Sequence, residues 1–233
     1  MKRQLFTTAL ALLPFLPCLG QNLSSNDQEE AVHSTYPTQG FYIGIRATPQ
    51  LSWMINKTDI DASGYKTLNR FGANFGLAGG YSFNDHIGAE VNVLYSLDGK
   101  RYKVSGKEYT QKVNYFKIPL LFVYTTQPAT FMFLGKIGPQ LNILSMAKVS
   151  PAITNGTTIS DNKDQYETTV LGAVANAGAR YAVIDNLWID ASIRYDISLT
   201  NVENKSYKYF PSGRSDTHNM TLGLEIGLNY LFK

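Results

Sequence analysis

The chain has 233 residues, of which 44% are hydrophobic and 17% are charged, and its formal net charge at pH 7 is +3. This length and apolar content suffice for one buried core or one closed barrel, and so small a charge identifies no partner. The sequence contains no glycine-rich phosphate loop and no basic nucleic-acid-binding stripe, so no nucleic-acid partner is expected.

The first twenty residues have the layout of a secretory signal peptide. Lys2 and Arg3 carry positive charge, an apolar run follows over residues 5–19, and the small residue Gly20 ends it. We therefore predict export of the chain and cleavage after Gly20, with residues 1–20 removed. No later segment has the roughly eighteen consecutive apolar residues of a membrane-spanning helix. After export the chain must therefore be soluble or cross a membrane as strands.

The chain's one cysteine, Cys18, raises the alternative of a lipoprotein. A lipid-attachment signal requires Gly, Ala or Ser immediately before the cysteine, and this chain has Pro17 there. Removal of Cys18 with the signal peptide is the interpretation we prefer. The mature chain would then have no cysteine, which excludes disulfides and cysteine-bound zinc or iron–sulfur clusters.

Long segments of alternating apolar and polar residues begin at residue 40. Residues 21–39 before them are polar and unpatterned, which predicts a flexible periplasmic segment. The last segment, 219–232, alternates almost without error and is longer than the five or six residues of a usual soluble strand. It suits a tilted strand across a bilayer, which needs roughly nine to eleven residues. We predict an all-β fold, an antiparallel up-and-down transmembrane β-barrel of about eight strands over residues 40–233. The predicted strands span residues 40–53, 70–83, 87–98, 109–124, 130–146, 168–182, 187–199 and 216–232.

The connections between these segments alternate between short and long. Turn-forming residues make the short ones, and outer-membrane barrels place short turns in the periplasm and long loops outside. The short connections lie near residues 84–85, 126–128 and 184–186, and the long ones span 55–69, 99–108, 147–167 and 200–215.

Charged residues at mid-strand positions indicate whether the inner or the outer face of the barrel is apolar. Within residues 187–196, Leu187 and Ile193 share one face, whereas Asp190 and Arg194 share the other. A soluble lipocalin keeps its apolar face inside, but a membrane barrel turns that face to lipid and its charges inward. The same parity predicts a structural network of lumen charges made of Arg46, Glu90, Lys117, Lys136, Arg180, Asp190, Arg194, Asp196 and Glu225. In so narrow a barrel these charges must pair with one another, which predicts a plugged lumen rather than a pore.

Three motifs resemble those of a known family. Residues 115–121, YFKIPLL, resemble the Y-x-x-I-P-L-L strand of the PorT-like outer-membrane beta-barrel family of Gram-negative bacteria. Residues 138–145 look like its G-P-x-x-x-x-L-S strand. Residues 194–201 look like its R-Y-x-x-x-L-T-N segment, with Ser198 where the family often has Gly. The resemblance covers about residues 40–233 and implies an integral barrel of the cell outer membrane. The named member of the family is associated with secretion of surface and extracellular proteins.

The sequence predicts no catalytic residue, no cofactor and no metal. A surface hydrolase would use His218 with Ser215 and Asp216 near the outer mouth, but in a strand Ser215 points away from the other two. No acidic loop has calcium-binding spacing. We therefore expect a protein that is not an enzyme.

The function expected from the sequence is structural or interaction work through the extracellular loops. A protein or glycan partner at these loops is the expectation, and Tyr65, Tyr102, Tyr207 and Tyr209 offer an aromatic platform for a glycan, although surface tyrosines are common. The other expected partners are outer-membrane lipid and the barrel-assembly machinery during insertion, with the chain itself monomeric. The alternatives are a narrow small-solute channel and an accessory component of a protein secretion system.

Overall fold

The computed structural model describes residues 39–61, 65–104, 106–126, 128–151 and 160–232. The predicted signal peptide lies outside these residues, as does the predicted periplasmic segment 21–39 apart from its last residue. Among the described residues, no helix has the length and apolar character to cross a membrane.

The described chain consists almost entirely of β-strands. A short helix, α1 (Lys57–Asp61), and a 3-10 turn at Lys163–Gln165 interrupt them. The strands are β1 (Gly40–Asn56), β2 (Tyr65–Leu68), β3 (Arg70–Ser82), β4 (Ile87–Val104), β5 (Lys107–Thr125), β6 (Phe131–Pro151), β7 (Ser160–Asp161), β8 (Thr169–Ile184), β9 (Leu187–Ser198) and β10 (Thr217–Leu231).

In the described part of the chain, eight long strands form one closed antiparallel ring, and the short strands β2 and β7 pair with β4 and β6 outside it. Successive long strands pair with each other, and β1 pairs with β10 from Tyr42 opposite Leu231 to Asn56 opposite Thr217. A closed ring leaves no strand edge, so every strand can satisfy its backbone hydrogen bonds inside hydrocarbon. The ladder confirms the predicted up-and-down barrel of about eight strands.

Several strands extend further at the long-loop end than the sequence analysis predicted. The predicted loop 99–108 is mostly a hairpin, because β4 continues to Val104 and β5 begins at Lys107. β6 likewise runs to Pro151, well past its predicted end at residue 146. The outward face of these extensions carries charged residues such as Arg101, Lys103 and Lys148, so they lack the apolar outer face from which the longer strands are recognised.

The two faces of the ring have opposite character. Outward side chains such as Leu77, Ile137 and Leu224 are more than half exposed, whereas inward ones such as Arg194 and Glu225 are fully buried. An apolar outer band and a polar interior are the properties of a barrel that spans an outer membrane.

Two irregularities interrupt the ladders around β5. The ladder between β4 and β5 passes from Leu94 opposite Lys117 to Val91 opposite Leu120, and it skips Pro119 without a change of register. This agrees with the proline's missing N–H. Within the described ladder between β5 and β6, the register shifts between Asn114 and Tyr115, so the bulge is not at the proline.

Strands β8 and β9 approach each other so closely at Gly178 that only glycine fits. A Cβ atom added there would lie 2.1 Å from the carbonyl oxygen of Ala191 and 2.4 Å from the Cα of Ser192. Gly135 is a natural comparison, because it faces outward in the neighbouring strand and an added Cβ meets nothing within 4 Å.

We expect Gly178→Ala to destabilise the barrel by about 1–3 kcal/mol, because the backbone of β9 must move to admit one methyl group. Gly135→Ala should leave stability within about 0.5 kcal/mol of the parent chain. Urea unfolding of both variants in lipid vesicles measures the difference. Equal midpoints for the two variants would contradict the close approach of β8 and β9.

Candidate functional site in the lumen and at the outer mouth

The structure places all nine predicted lumen residues inside the ring. Each has no more than 4% of its surface exposed, and Asp190 and Glu225 have none. They come from seven of the eight long strands, because the parity of each strand turns its charged position to the same side. Glycine makes room for them where required. A Cβ at Gly227 would lie 2.5 Å from the Nη1 atom of Arg46.

The first cluster of charges lies toward the short turns. Arg46 Nη2 donates to Glu90 Oε2 at 2.8 Å, and Lys136 Nζ lies 3.0 Å from the same oxygen. Lys136 also reaches Asp190 at 3.3 Å. Arg180 binds Asp190 through two hydrogen bonds of 2.7 and 3.1 Å. Each carboxylate in this cluster therefore contacts at least two cations.

The second cluster lies toward the long loops and centres on Arg194. Its guanidinium donates to Glu225 and to Asp196, both at 2.8 Å. Lys117 Nζ lies 3.0 Å from Asp98 and 3.5 Å from Asp196. Glu225 joins the two clusters, since its Oε1 atom lies 3.9 Å from both Arg46 and Lys136 of the first cluster.

Asp98 is the lumen charge that the sequence analysis missed. The nine predicted residues comprise five cations and four anions, and Asp98, which is fully buried, makes the numbers equal. Gln50, Ser96 and Asn219 also donate to its carboxylate, at 2.6–2.7 Å. Asp98 has the same strand parity as Glu90, which would have identified it. The predicted strand ends at this residue, at the border of the predicted loop 99–108.

Aromatic side chains close the lumen at the short-turn end. Arg180 lies over the ring of Trp188, 4.6 Å from its centroid, and the hydroxyl of Tyr42 donates to Glu90 at 3.0 Å. Tyr42 and Trp188 pack with Ala182 and Leu231 in a buried apolar cluster. The charged clusters are therefore sealed from the periplasmic side by aromatic and apolar groups.

An apolar layer lies between the charged clusters and the outer mouth. Strand residues on the inner face contribute most of it, and Tyr166 and Val202 come from the loops and cover it from above. Its members are Met54, Val113, Tyr115, Leu144, Ala147, Tyr166, Val170 and Val202. Gln111 donates a hydrogen bond to the hydroxyl of Tyr166. The loops thus fold into the barrel and complete its core.

Ion pairs between loops hold the mouth together. Arg214 donates to Asp59 at 2.6 and 3.1 Å and to Glu203 at 2.6 and 2.8 Å, and Lys100 donates to Asp59 at 3.0 Å. Partial burial by itself would raise the pKa of the Asp59 carboxyl, but hydrogen bonds and charge from Arg214 and Lys100 outweigh it and hold this pKa below its ordinary value. Helix α1 is thereby tied to the loop before β10.

A cleft of about 600 Å³ opens between these loops. Aromatic rings and hydrogen-bonding side chains line it together, a composition typical of small-molecule sites. The lining residues are Asp59, Lys100, Tyr102, Gln111, Val149, Asn162, Gln165, Tyr166, Glu203, Tyr207, Tyr209, Phe210, Pro211 and Arg214. Tyr207 and Tyr209 meet edge to face with their centroids 5.7 Å apart.

The residues of the hydrolase alternative each contact a group outside the supposed triad. A ring nitrogen of His218 lies 2.9 Å from the carbonyl oxygen of Ser198, the Ser215 hydroxyl lies 3.2 Å from that of Thr58, and Asp216 pairs with Lys205 at 2.6 Å. Among the described residues, no three His, Cys, Asp or Glu side chains are grouped to hold a metal ion.

A family model described as "Outer membrane protein beta-barrel domain" matches residues 21–204. The chain belongs to this family. Membership in the outer membrane protein beta-barrel family assigns the ring of eight strands to the outer membrane. The match supports the broad family and does not distinguish the PorT-like group within it. A search of curated proteins found no match.

The chain is also similar to solved outer-membrane barrels. Neisserial surface protein A shares 16% identity with a TM-score of 0.46, over 83% of this chain and 97% of its own. OprG from Pseudomonas aeruginosa shares 15% with a TM-score of 0.45, over 83% and 96%. Ail of Yersinia pestis shares 18% with a TM-score of 0.43, over 82% and 99%. We draw no functional conclusion from likenesses at this level.

We expect Asp190→Asn to destabilise this family member by about 3–5 kcal/mol, because it leaves Arg180 buried without its carboxylate. The double substitution Asp190→Asn/Arg180→Met should destabilise the protein by less than the sum of the two single substitutions, because the buried charge is then removed together with its partner. Chemical unfolding in vesicles gives the three free energies. Asp216→Asn, which breaks a solvent-exposed pair, is the matched control and should have little effect. Strict additivity would contradict a coupled lumen network.

The mouth should loosen in acid. Because the folded pKa of Asp59 is lowered, its ion pairs contribute stability that is fully present above the ordinary value of 3.8 and lost as pH falls below it through the folded value. Amide hydrogen exchange of residues 200–216, corrected for intrinsic rates, should accelerate over that range. Asp59→Asn should accelerate exchange at neutral pH and remove the acid dependence. Asp164→Asn, an exposed carboxylate on another loop, should behave like the parent chain.

Proposed function

We propose that this protein is a non-enzymatic, monomeric interaction protein of the outer membrane that binds a glycan partner in the cleft at its outer mouth. The observation that carries the proposal is the contrast between a filled lumen and an open mouth. Ion pairs, apolar side chains and inward-folded loops occupy the ring, whereas the cleft outside it has room for a ligand. A closed ring also offers no strand edge for a second copy, which supports a monomer.

A conducting lumen requires charges that line water, and the charges in this barrel bind each other. Every predicted lumen cation lies within 3.5 Å of a carboxylate oxygen. An ion entering this region would have to break several pairs and also displace the apolar layer above them. These contacts support a plug rather than a channel.

The composition of the cleft supports a sugar as the ligand in preference to the broad surface of a protein partner. Its volume lies within the usual 300–1,000 Å³ of small-molecule sites. Tyr209 is 71% exposed, and an exposed aromatic side chain can stack on the apolar face of a sugar. Gln111, Asn162 and Gln165 bring amide groups that can bind sugar hydroxyls.

The motifs of residues 115–121, 138–145 and 194–201 lead us to propose the PorT-like group as the finer assignment within the family. That group suggests a part in protein secretion as the competing function. Loss of extracellular protein secretion on deletion of the gene, with glycan binding absent, would support the competitor.

Single-channel conductance in planar bilayers tests the plug. We expect no stable steps from the folded protein, and none from Lys205→Ala, which breaks an exposed pair. Arg194→Ala and Glu225→Ala should open at most brief, irregular events, because each leaves a buried charge unpaired. Stable conductance steps in the parent chain, with an ion selectivity that changes in these variants, would show that the protein is a small pore. The proposal of an interaction protein would then be wrong.

Binding to an array of immobilised oligosaccharides tests the cleft. Tyr209→Ala should weaken any binding by roughly two- to tenfold, in line with the ~0.5–1.5 kcal/mol expected for a stacked aromatic ring. Tyr209→Phe keeps the ring and should retain most of the affinity. An array without any bound saccharide, or equal binding by Tyr209→Ala, would refute the glycan partner.

A further inference from the structure

Five cations share the outward face of the barrel wall just beyond the lipid-facing band. We call this surface the basic wall. It is built from β2 and from the loop-end extensions of β4, β5 and β6, and its cations are Lys66, Arg101, Lys103, Lys112 and Lys148. None of these residues belongs to the lumen network or to the lining of the mouth cleft.

Strand parity shows that the basic wall faces away from the lumen. In β4, Asp98 and Lys100 are buried on the inner side, so Arg101 and Lys103 lie on the outer side, where their side chains are 45% and 48% exposed. In β5, Val113 is buried inside and Lys112 is exposed. Directly opposite residues of paired strands point the same way, which adds the remaining two lysines to this face.

The bulge in β6 is what turns Lys148 outward. Lys136 has an even residue number and faces the lumen, so an uninterrupted strand would also point Lys148 inward. The register shift between Asn114 and Tyr115 leaves Ser145 as an extra residue in β6 and reverses the parity beyond it. Bulges commonly redirect a side chain in this way.

Two like-charge pairs stand directly across neighbouring strands of the basic wall. Lys112 lies opposite Lys148, and Lys66 lies opposite Lys103. Like charges at opposed positions destabilise a sheet. Within the described part of the chain, neither Lys66 nor Lys112 makes an ion pair.

The basic wall has too few acidic residues to neutralise its positive charge. Glu108 lies 3.4 Å from Arg101 and 3.5 Å from Lys103, and Asp161 stands opposite Lys148 in the ladder. Five cations thus face two anions on the described surface. The arrangement is complementary to an anion supplied from outside the chain.

The height of the wall indicates where that anion lies. Phe116 and Tyr95, whose ring centroids are 5.2 Å apart, end the lipid-facing aromatics on β5 and β4. Lys112 is four residues farther along β5, which is about 13 Å along the strand and roughly 9–11 Å along the membrane normal at a usual tilt. The polar headgroup layer adds about 5–7 Å on each side of the hydrocarbon. From this height the flexible side chains of Lys112 and of Lys148, which stands opposite it, reach headgroup phosphates. Lys103 and the opposed Lys66 are eight residues beyond Tyr95, about 26 Å along the strand and roughly 19–22 Å along the membrane normal, which is above the headgroup layer.

We propose that Lys112 and Lys148, the part of the basic wall nearest the lipid-facing band, bind the phosphate groups of phosphorylated glycolipids in the surrounding outer leaflet. The ligand class is an anionic lipid headgroup held at one side of the barrel, in contrast to the uniform contact that lipid tails make with the whole apolar band. This site lies on the outer side of the wall and is independent of the glycan cleft. Either proposal can fail without the other.

The test uses the full chain folded in neutral detergent micelles, with native mass spectrometry to count bound lipid. The probe is lipid A carrying two phosphates, compared with the same lipid after both phosphates are removed. The double variant Lys112→Gln/Lys148→Gln removes both lysines of the like-charge pair nearest the lipid-facing band. We expect it to bind bisphosphorylated lipid A about 25-fold more weakly, since each of the two cations near an anionic surface contributes roughly fivefold.

Lys163→Gln/Lys208→Gln removes two exposed lysines from other loops and is the matched control, with binding expected to equal that of the parent chain. Equal binding by the two double variants, or equal binding of the dephosphorylated lipid, would overturn the proposal. Full competition by millimolar inorganic phosphate would indicate a site for the free anion and would also overturn it.

A stability measurement separates lipid binding from a structural role of the lysines. In lipid-free micelles, Lys112→Gln/Lys148→Gln should unfold at a denaturant concentration no lower than the parent chain, because it relieves the repulsion between the two opposed lysines. Added lipid A should raise the parent midpoint more than that of the variant. A lower midpoint for the variant without lipid would show that the lysines stabilise the fold itself, contrary to the proposal.

Discussion

The constraint on which the structure depends is that hydrocarbon offers no hydrogen-bond partner to the backbone. The strands must therefore close into a ring, and the pairing of β1 with β10 achieves this. Closure of eight strands leaves an interior just wide enough for side chains. The inner faces must then fill that interior and satisfy one another. The contacts of Arg194 with Glu225 and Asp196 follow from this requirement, and so do the glycines that admit long side chains.

A charged filling has a cost that an apolar filling would avoid, since buried ion pairs often stabilise a protein no more than packed hydrocarbon. An apolar filling, however, would make each strand apolar on both faces. A slip of one residue would then exchange two similar faces at little cost, and the register would be poorly specified. With Glu90 or Asp190 on the inner face, the same slip places a carboxylate in lipid. The lumen charges thus fix the register of the strands that carry them.

This reasoning also explains what could be predicted from the sequence. Parity identified the faces wherever an apolar face met lipid, so the ring, its order and the nine lumen charges could be placed without coordinates. It failed where that contrast disappears. β4 beyond Asp98 and β6 beyond residue 146 have charged residues instead of apolar ones on the outward face, so they were predicted as loops, although they are strands. The bulge at Ser145 cannot be read from alternation at all, and neither can the contact of Arg214 with Asp59, which joins residues far apart in the chain.

Beyond the membrane the same alternation serves a second purpose. Along the end of β4, Lys100 and Tyr102 turn toward the mouth cleft, whereas Arg101 and Lys103 turn outward, away from the lumen. One strand thus supplies side chains to two separate surfaces, the mouth cleft and the outer side of the barrel wall. The two surfaces can vary independently, because a substitution at an odd position of this segment leaves the inner face unchanged. The extensions that the apolar pattern failed to reveal are therefore the part of the barrel wall most able to acquire specific contacts, since neither of their faces has to satisfy hydrocarbon.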